Sequence, residues 1–234
     1  MTIKYLWKQD KFDSQILGLK AAKIIDLNPT RVKNLIYELI KSKIQYAIYR
    51  VKSSNYSLIH TLEQNKFLLV DGLICMSLDI SSFKLFIEPK IREAGISDLL
   101  SLKKLTSNLY SGTRITNDPL FSKEIANKYY LKWIENSIKG ESADLVLVWE
   151  ENGKILGYVT LQKKGQIPLL GVSKNSRGRG IAKNLLFAAL SEFKKWGVEK
   201  INIDTQMDNF PALKTYQRVG FKIVDSYLTF RWTR

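Results

Sequence analysis

Residues 175–186 read NSRGRGIAKNLL, and this stretch decides the fold. Its first half is polar, with Arg177 and Arg179 alternating with Gly178 and Gly180. Its second half opens an apolar stripe of Ile181, Leu185, Leu186, Ala189, Leu190 and Phe193, the spacing of one helix face, which Gly197 ends. A helix N-terminus exposes about four unpaired N–H groups and a partial positive charge, so an anion held there gains hydrogen bonds and dipole stabilisation together. Glycines allow close backbone approach and the arginines add charge, so the stretch suits a phosphate or pyrophosphate. Its spacing, Arg177-x-x-Gly180-x-Ala182, is neither the G-x-G-x-x-G of dinucleotide folds nor a P-loop with its Lys-Ser/Thr ending. Taken alone it also reads as a solvated loop whose glycines serve only to turn the chain.

Outward from this loop, strand and helix signals alternate from residue 85 to 234. PKIREAGISDLLSLKKL is a strand ending near Glu93, then a helix capped by Ser97 or Asp98. NDPLFSKEIANKYYLKWIENSIKG is a second helix, expected to start at Asp118 before Pro119 and to stop at Gly140. DLVLVWE, the turn ENGK and ILGYVTLQ make a hairpin. QIPLLGVS is a short strand interrupted by Pro168, whose missing N–H is tolerated at an edge or irregularity. After the helix from Gly180 come a strand, KINIDTQ, a short helix, NFPALKTYQRVG, and a final strand or hairpin, FKIVDSYLTFRW.

The first 80 residues hold a related piece. Laid without gaps on the segment from Asn209, the segment from Asn55 matches at Asn55/Asn209, Thr61/Thr215, Phe67/Phe221, Val70/Val224 and Asp71/Asp225. Both copies read as a short helix followed by a long strand, and both follow a strand candidate. An internal duplication of a strand-helix-strand unit is expected, with residues 1–82 a partial first domain and 83–234 a complete second one. Two supersecondary units alike by chance are the alternative. Tyr216 of the second copy is Leu62 in the first, so a catalytic role for the tyrosine makes the first copy a scaffold.

A strand (LLGVS), then R-x-x-G-x-A, a long amphipathic helix, a strand, and a short helix carrying Asn209 and Tyr216 together resemble the GNAT superfamily of acyl-CoA-dependent N-acyltransferases. The resemblance implies an α/β (α+β) GNAT acyltransferase fold with a mixed, mostly antiparallel sheet, preceded here by a truncated GNAT-like N-terminal domain. It implies acetyl-CoA as cosubstrate and no metal. Leu170, Gly171 and Val172 would hydrogen-bond the pantetheine arm, with an amide near Val172 facing the thioester oxygen. Arg177, Gly178, Arg179, Gly180, Ile181 and Ala182 would hold the pyrophosphate. Asn209 and Tyr216 match the family's asparagine and tyrosine. The segments YLKWIENSIKG, TQMDNFPALKTYQ, TRITNDPLF and FDSQILGLKAAKI further resemble the two-domain GNAT enzymes that acetylate the 4-amino group of a dTDP-linked 4-amino-4,6-dideoxygalactose. That implies a nucleotide-sugar substrate, cell-surface polysaccharide biosynthesis and a homodimer. The sequence departs from that pattern at Ile16 and Leu17, where aromatics commonly precede the glycine, and in a longer loop around Lys174 and Asn175.

The composition indicates ordinary globular packing: 234 residues, 45% hydrophobic, 11% aromatic. The formal charge of +15 favours anionic ligands without naming one. The single cysteine, Cys75, leaves no internal disulfide and fits a reducing, cytoplasmic setting. The sequence has no apolar run near the roughly 20 residues of a membrane span. One histidine, His60, leaves no material for a multi-histidine metal site or a Ser-His-Asp triad. Tyr216 follows Asn209 by seven residues, about two helical turns, so both can face one end of a cofactor. A phenol stays protonated at neutral pH and can protonate a departing thiolate, whereas a core tyrosine is its alternative reading. Asn209 also suits a helix N-cap. Arg114, with a planar fork matched to phosphate oxygens, is expected to bind the nucleotide pyrophosphate, its alternative being a surface arginine. No residue is marked firmly as the general base: Asp13, Glu88 and Glu93 are carboxylates near likely site edges, and a solvated charge is the expected role of each. Two other readings stay open: a GNAT acting on a different small amine or peptide, and a basic nucleic-acid- or acyl-CoA-binding module. The cationic residues are spread along the chain and form no nucleic-acid motif, so no nucleic-acid partner is expected.

Overall fold

The structure is a computed structural model and describes residues 6–107 and 109–234. In chain order its elements are β1 (Trp7–Gln9), α1 (Lys11–Leu17), β2 (Ala21–Ile24), α2 (Val32–Lys41), β3 (Tyr46–Lys52), α3 (Tyr56–Gln64), β4 (Leu68–Asp79), β5 (Ile91–Glu93), α4 (Leu99–Thr106), α5 (Arg114–Asn117), α6 (Lys123–Ile138), β6 (Leu145–Glu151), β7 (Lys154–Leu161), β8 (Gln166–Ile167), β9 (Leu170–Val172), α7 (Ile181–Lys195), β10 (Lys200–Gln206), α8 (Phe210–Val219) and β11 (Lys222–Thr233). The chain divides into two compact units. The first is Met1–Leu73, Gly112–Ile125 and Asp225–Arg234; the second is Ile74–Ser111 and Ala126–Val224. These units do not follow a single cut along the chain, because β4 and β11 each contribute residues to both.

The first unit orders its strands β1-β2-β3-β11, with β2 and β3 parallel and β3 and β11 antiparallel. Its core joins α2 and α3 to this sheet through Leu35, Leu39, Leu58, Leu62, Phe67 and Phe230. The second unit has strands in the order β4-β10-β8 and a separate antiparallel sheet, β5-β6-β7-β9. Its core is built on α7, whose Leu185, Leu186, Ala189, Leu190 and Phe193 are all buried, as the apolar stripe requires.

The strand-helix-strand pieces at residues 55 and 209 fold alike. Asn55 and Asn209 each cap the following helix, accepting from the N–H of Leu58 at 3.2 Å and of Ala212 at 3.3 Å. Thr61 and Thr215 both turn their hydroxyls back to the carbonyl four residues earlier. Phe67 and Phe221 are both buried. β4 and β11 have the same length, 12 residues. The segment from Phe221 is thus one long strand and not a hairpin.

The second helix differs from its sequence reading. Residues 114–117 form the separate turn α5, and α6 starts at Lys123 instead of at Asp118. Asp118 is buried, accepts from the N–H of Leu120 and pairs with Arg231 at 3.1 Å. A carboxylate paired inside the first unit holds the chain in a turn there and postpones the helix.

Candidate functional site

Pro168 divides the short strand between two sheets. Before it, β8 runs parallel to β10, with Gln166 opposite Asn202 and Ile167 opposite Ile203. After it, β9 joins the other sheet, antiparallel to β7. β9 and β10 are therefore not paired with each other, and Leu170–Val172 is an edge strand. The register fixes which groups the edge offers. Thr160 donates to the Leu169 carbonyl and Ser173 to the Leu156 carbonyl, both towards β7. By the alternation of antiparallel pairs, Gly171 exchanges its bonds with Tyr158, and Leu170 and Val172 turn their N–H and C=O to the open side.

Two close approaches set this edge against its surroundings. A Cβ at Gly157, on β7, would lie 3.0 Å from Ile181 Cγ2 and 3.1 Å from Leu185 Cδ1, so the bare glycine lets the first turn of α7 seat directly on the sheet. A Cβ at Gly171 would lie 2.6 Å from Leu109 Cδ2 and 2.9 Å from Tyr158 Cε1 on the opposite face. A side chain at either position makes these neighbours shift.

The loop after β9 makes a short 3-10 turn at Lys174–Ser176 and reaches α7 through Gly178 and Gly180, both at φ +79°. No side chain approaches either glycine, so the left-handed backbone alone calls for glycine. Gly180 is the N-cap and supplies no side-chain acceptor, which leaves the first-turn N–H groups of α7 for a ligand. Arg177 is exposed and has no ion-pair partner among the described residues. Arg179 pairs with Glu151 at 2.5 Å, and Lys90 and Arg179 hold the Glu151 carboxyl below its usual range. Of the two cations, Arg177 is the one unencumbered.

On α8, Asn209 spends both ends of its amide inside the protein. Its oxygen caps the helix and its nitrogen donates to Thr205 Oγ1 at 3.0 Å. Tyr216 is 6% exposed, and its hydroxyl has no hydrogen-bond partner among the described residues. Burial, reinforced by the Asp204 carboxylate, pushes this phenol well above its ordinary value. It is a protonated donor.

Arg114 is neither at the surface nor free. Its Nη2 meets both carboxylate oxygens of Asp13 at 2.8 Å, and Nη1 is 3.4 Å from Tyr46 Oη. Asp13 is likewise buried, correcting its reading as a solvated charge. Both residues belong to the first unit. The ion pair partners are 101 positions apart, so no spacing in the sequence signalled it. Tyr110, Tyr158 and Gly157 were not singled out in the sequence. The one available signal was Gly157, a glycine inside an alternating strand. The described residues contain no group of three or more His, Cys, Asp or Glu placed to hold a metal, and no helix long and apolar enough to cross a membrane.

The structure thus sets a split strand with an open edge before a glycine-capped helix. The model of the acetyltransferase (GNAT) family matches residues 110–221 of the chain. Among its relatives is the spore coat polysaccharide biosynthesis protein SpsD of Bacillus subtilis (strain 168), 23% identical over 95% of this chain and 81% of that protein. Another is the dTDP-fucosamine acetyltransferase of Escherichia coli O6:H1 (strain CFT073), 27% identical over 74% of this chain and 75% of that protein. A GCN5-related N-acetyltransferase from Sphaerobacter thermophilus shares the fold, with a TM-score of 0.61, 18% identity, and coverage of 91% of this chain and 72% of that one.

Proposed function

We propose that this protein moves the acetyl group of acetyl-CoA to the amino group of a nucleotide-linked amino sugar, a dTDP-4-amino-4,6-dideoxyhexose. The observation that carries acetyl-CoA is the open edge of β9 leading into the glycine-capped start of α7. The outward groups of Leu170 and Val172 suit the amides of an extended pantetheine arm, and Gly171 between them allows close approach. Gly178, Gly180, Ile181 and Ala182 would offer backbone N–H groups to the pyrophosphate, with Arg177 adding charge and Arg179 sharing its own with Glu151. The sugar rests on similarity to SpsD and to dTDP-fucosamine acetyltransferase. A cytoplasmic location and a homodimer belong to the same reading.

In the transfer, the neutral amine forms a C–N bond to the acetyl carbon, the C–S bond breaks, and the amine gives up one proton to solvent. The Val172 N–H is the donor for the carbonyl oxygen as charge develops there. Tyr216 donates its proton to the departing sulfur. Burial makes the phenol a weaker acid, but it raises the proton affinity of a thiolate in the same site for the same reason, so the transfer is not penalised as the phenol's shift alone suggests. Asn209 acts by fixing α8 and thereby Tyr216. Residues 1–82 are a degenerate first copy. The segment between β2 and α2, Asp26-Leu27-Asn28-Pro29-Thr30-Arg31, lacks glycine and places a proline where a first-turn N–H would be.

The test is turnover of acetyl-CoA with dTDP-4-amino-4,6-dideoxygalactose, followed by free thiol release. Acetylated sugar and thiol in equal amounts are expected. Acetyl-CoA binding with no product from any nucleotide-linked amino sugar would remove the sugar assignment. No binding of acetyl-CoA would remove the whole reading.

A further inference from the structure

The second unit contains a chain of hydroxyls that this mechanism does not use. Thr106, the last residue of α4, donates from Oγ1 to Tyr158 Oη at 3.0 Å, and Tyr158 Oη lies 2.8 Å from Tyr110 Oη. Tyr158 is fully buried on β7, and its ring lies against Gly171, the residue between the two outward-facing positions of β9. The chain of hydroxyls thus begins in the core and includes the tyrosine that covers Gly171 of β9. Tyr110, at its far end, is half-buried, with its ring stacked on Tyr130 at 4.4 Å between centroids and 22° between planes. Stacking on one side and a phenolic partner on the other fix where its hydroxyl sits.

Burial bears on how the protons are placed along the chain. A phenol with no access to water must place its own proton on an acceptor. Either phenol can donate in the Tyr158–Tyr110 contact; with Thr106 donating to Tyr158, the arrangement that gives every proton an acceptor has Tyr158 donating to Tyr110 Oη. Tyr110 then accepts one bond and keeps one O–H to give. Burial holds the protons on both phenols, pushing Tyr158 up to about 12 and Tyr110 well above its ordinary value.

We propose that Tyr110 is the positioning residue for the acceptor, donating to the hydroxyl oxygen next to the reacting amine of an amino sugar. The chemistry of the donor selects this partner. An ammonium has no lone pair to accept with, and a neutral amine that accepted the bond would lose the lone pair it needs for attack. A neighbouring hydroxyl can accept and leave the amine free. The assignment rests on the acetyltransferase reading above and specifies what the acceptor must carry.

The experiment compares two pairs of acceptors with acetyl-CoA: dTDP-4-amino-4,6-dideoxygalactose against its 3-deoxy counterpart, and trans-2-aminocyclohexanol against cyclohexylamine. The wild-type protein is expected to favour the hydroxylated member by about tenfold or more in kcat/KM, since a site built to bond a substrate hydroxyl rejects the analogue lacking it. Tyr110→Phe should bring the ratio near one, chiefly through the KM of the hydroxylated acceptor, with the Kd for acetyl-CoA unchanged. Thr106→Val, which keeps the Tyr110 hydroxyl but lets Tyr110 donate back to Tyr158, should lower the ratio in part. An unchanged ratio in Tyr110→Phe overturns the proposal. If that variant does not fold, an unchanged ratio in Thr106→Val overturns it instead. Should only the simple amines turn over, their ratio decides the role of Tyr110 and the sugar assignment alone fails. If neither pair is acetylated although acetyl-CoA binds, both fall.

Discussion

Two tyrosines and one arginine show how far a residue's type is from its role. Tyr216 and Tyr158 are both buried phenols, but Tyr158 is engaged by its neighbours, whereas the Tyr216 hydroxyl has no hydrogen-bond partner among the described residues. Removing only that oxygen, in Tyr216→Phe, is expected to lower kcat by about 10²- to 10⁴-fold. The Kd for acetyl-CoA, measured by calorimetry, should not change. The raised phenol also fixes a pH limit: loss of the Tyr216 proton should pull kcat down only above about pH 10, the ordinary phenol value. Stability follows the same sign. Above about pH 10 the unfolded chain releases phenolic protons that folded Tyr158 and Tyr216 retain, so the folded state binds more protons and loses stability as pH rises. Urea midpoints should therefore fall on the alkaline side, and less steeply in Tyr158→Phe. Arg114 behaves as a structural cation. Its pairing with buried Asp13 means that Arg114→Ala breaks a buried ion pair, at a cost of about 3–5 kcal/mol read from urea unfolding. No specific effect on the KM for a nucleotide sugar is expected from a residue so committed.

At the scale of elements, the path from β9 to α7 depends on backbone conformation more than on side chains. Gly178 and Gly180 stand at φ +79° with open space around them, so alanine at either position strains the loop without filling anything. Gly180→Ala is expected to weaken acetyl-CoA binding about tenfold by calorimetry while leaving the far-ultraviolet spectrum intact. Much of this was legible in the sequence. The glycine-arginine alternation, the apolar stripe from Ile181 to Phe193 and the punctuation by Pro168 are local signals, and local signals survive into the structure. The strand KINIDTQ and the Asn209 cap were legible for the same reason. The Asp13–Arg114 pair, the Asp118–Arg231 pair that delays α6, and the Tyr110–Tyr158 contact were not. Each joins residues far apart in the chain, and nothing in the spacing of a lone Asp or Tyr says what the fold will bring to it. Tyr158 in particular follows the strand alternation of a core residue, which it also is.

For the whole molecule, the two long strands β4 and β11 matter most. Met76 and Ile80, at the end of β4 and just beyond it, are buried in the core of the second unit, while Phe230 and Trp232 of β11 are buried in the core of the first. A fragment of residues 83–234 would lack the first pair, although it contains every residue assigned to acetyl-CoA. It is expected to be insoluble or to show no cooperative melting by calorimetry, whereas the full chain melts in one transition. Among the described residues only the second half has a glycine-capped α-helix after an edge strand, so titration should give one acetyl-CoA per chain. The division of the strand at Pro168 has a kinetic corollary. Because the chain itself switches sheets there, no ladder of hydrogen bonds has to be prised open before a long, narrow guest can lie down along β9. Its arrival should accordingly be a single encounter, with an observed rate that climbs in proportion to concentration and never levels off.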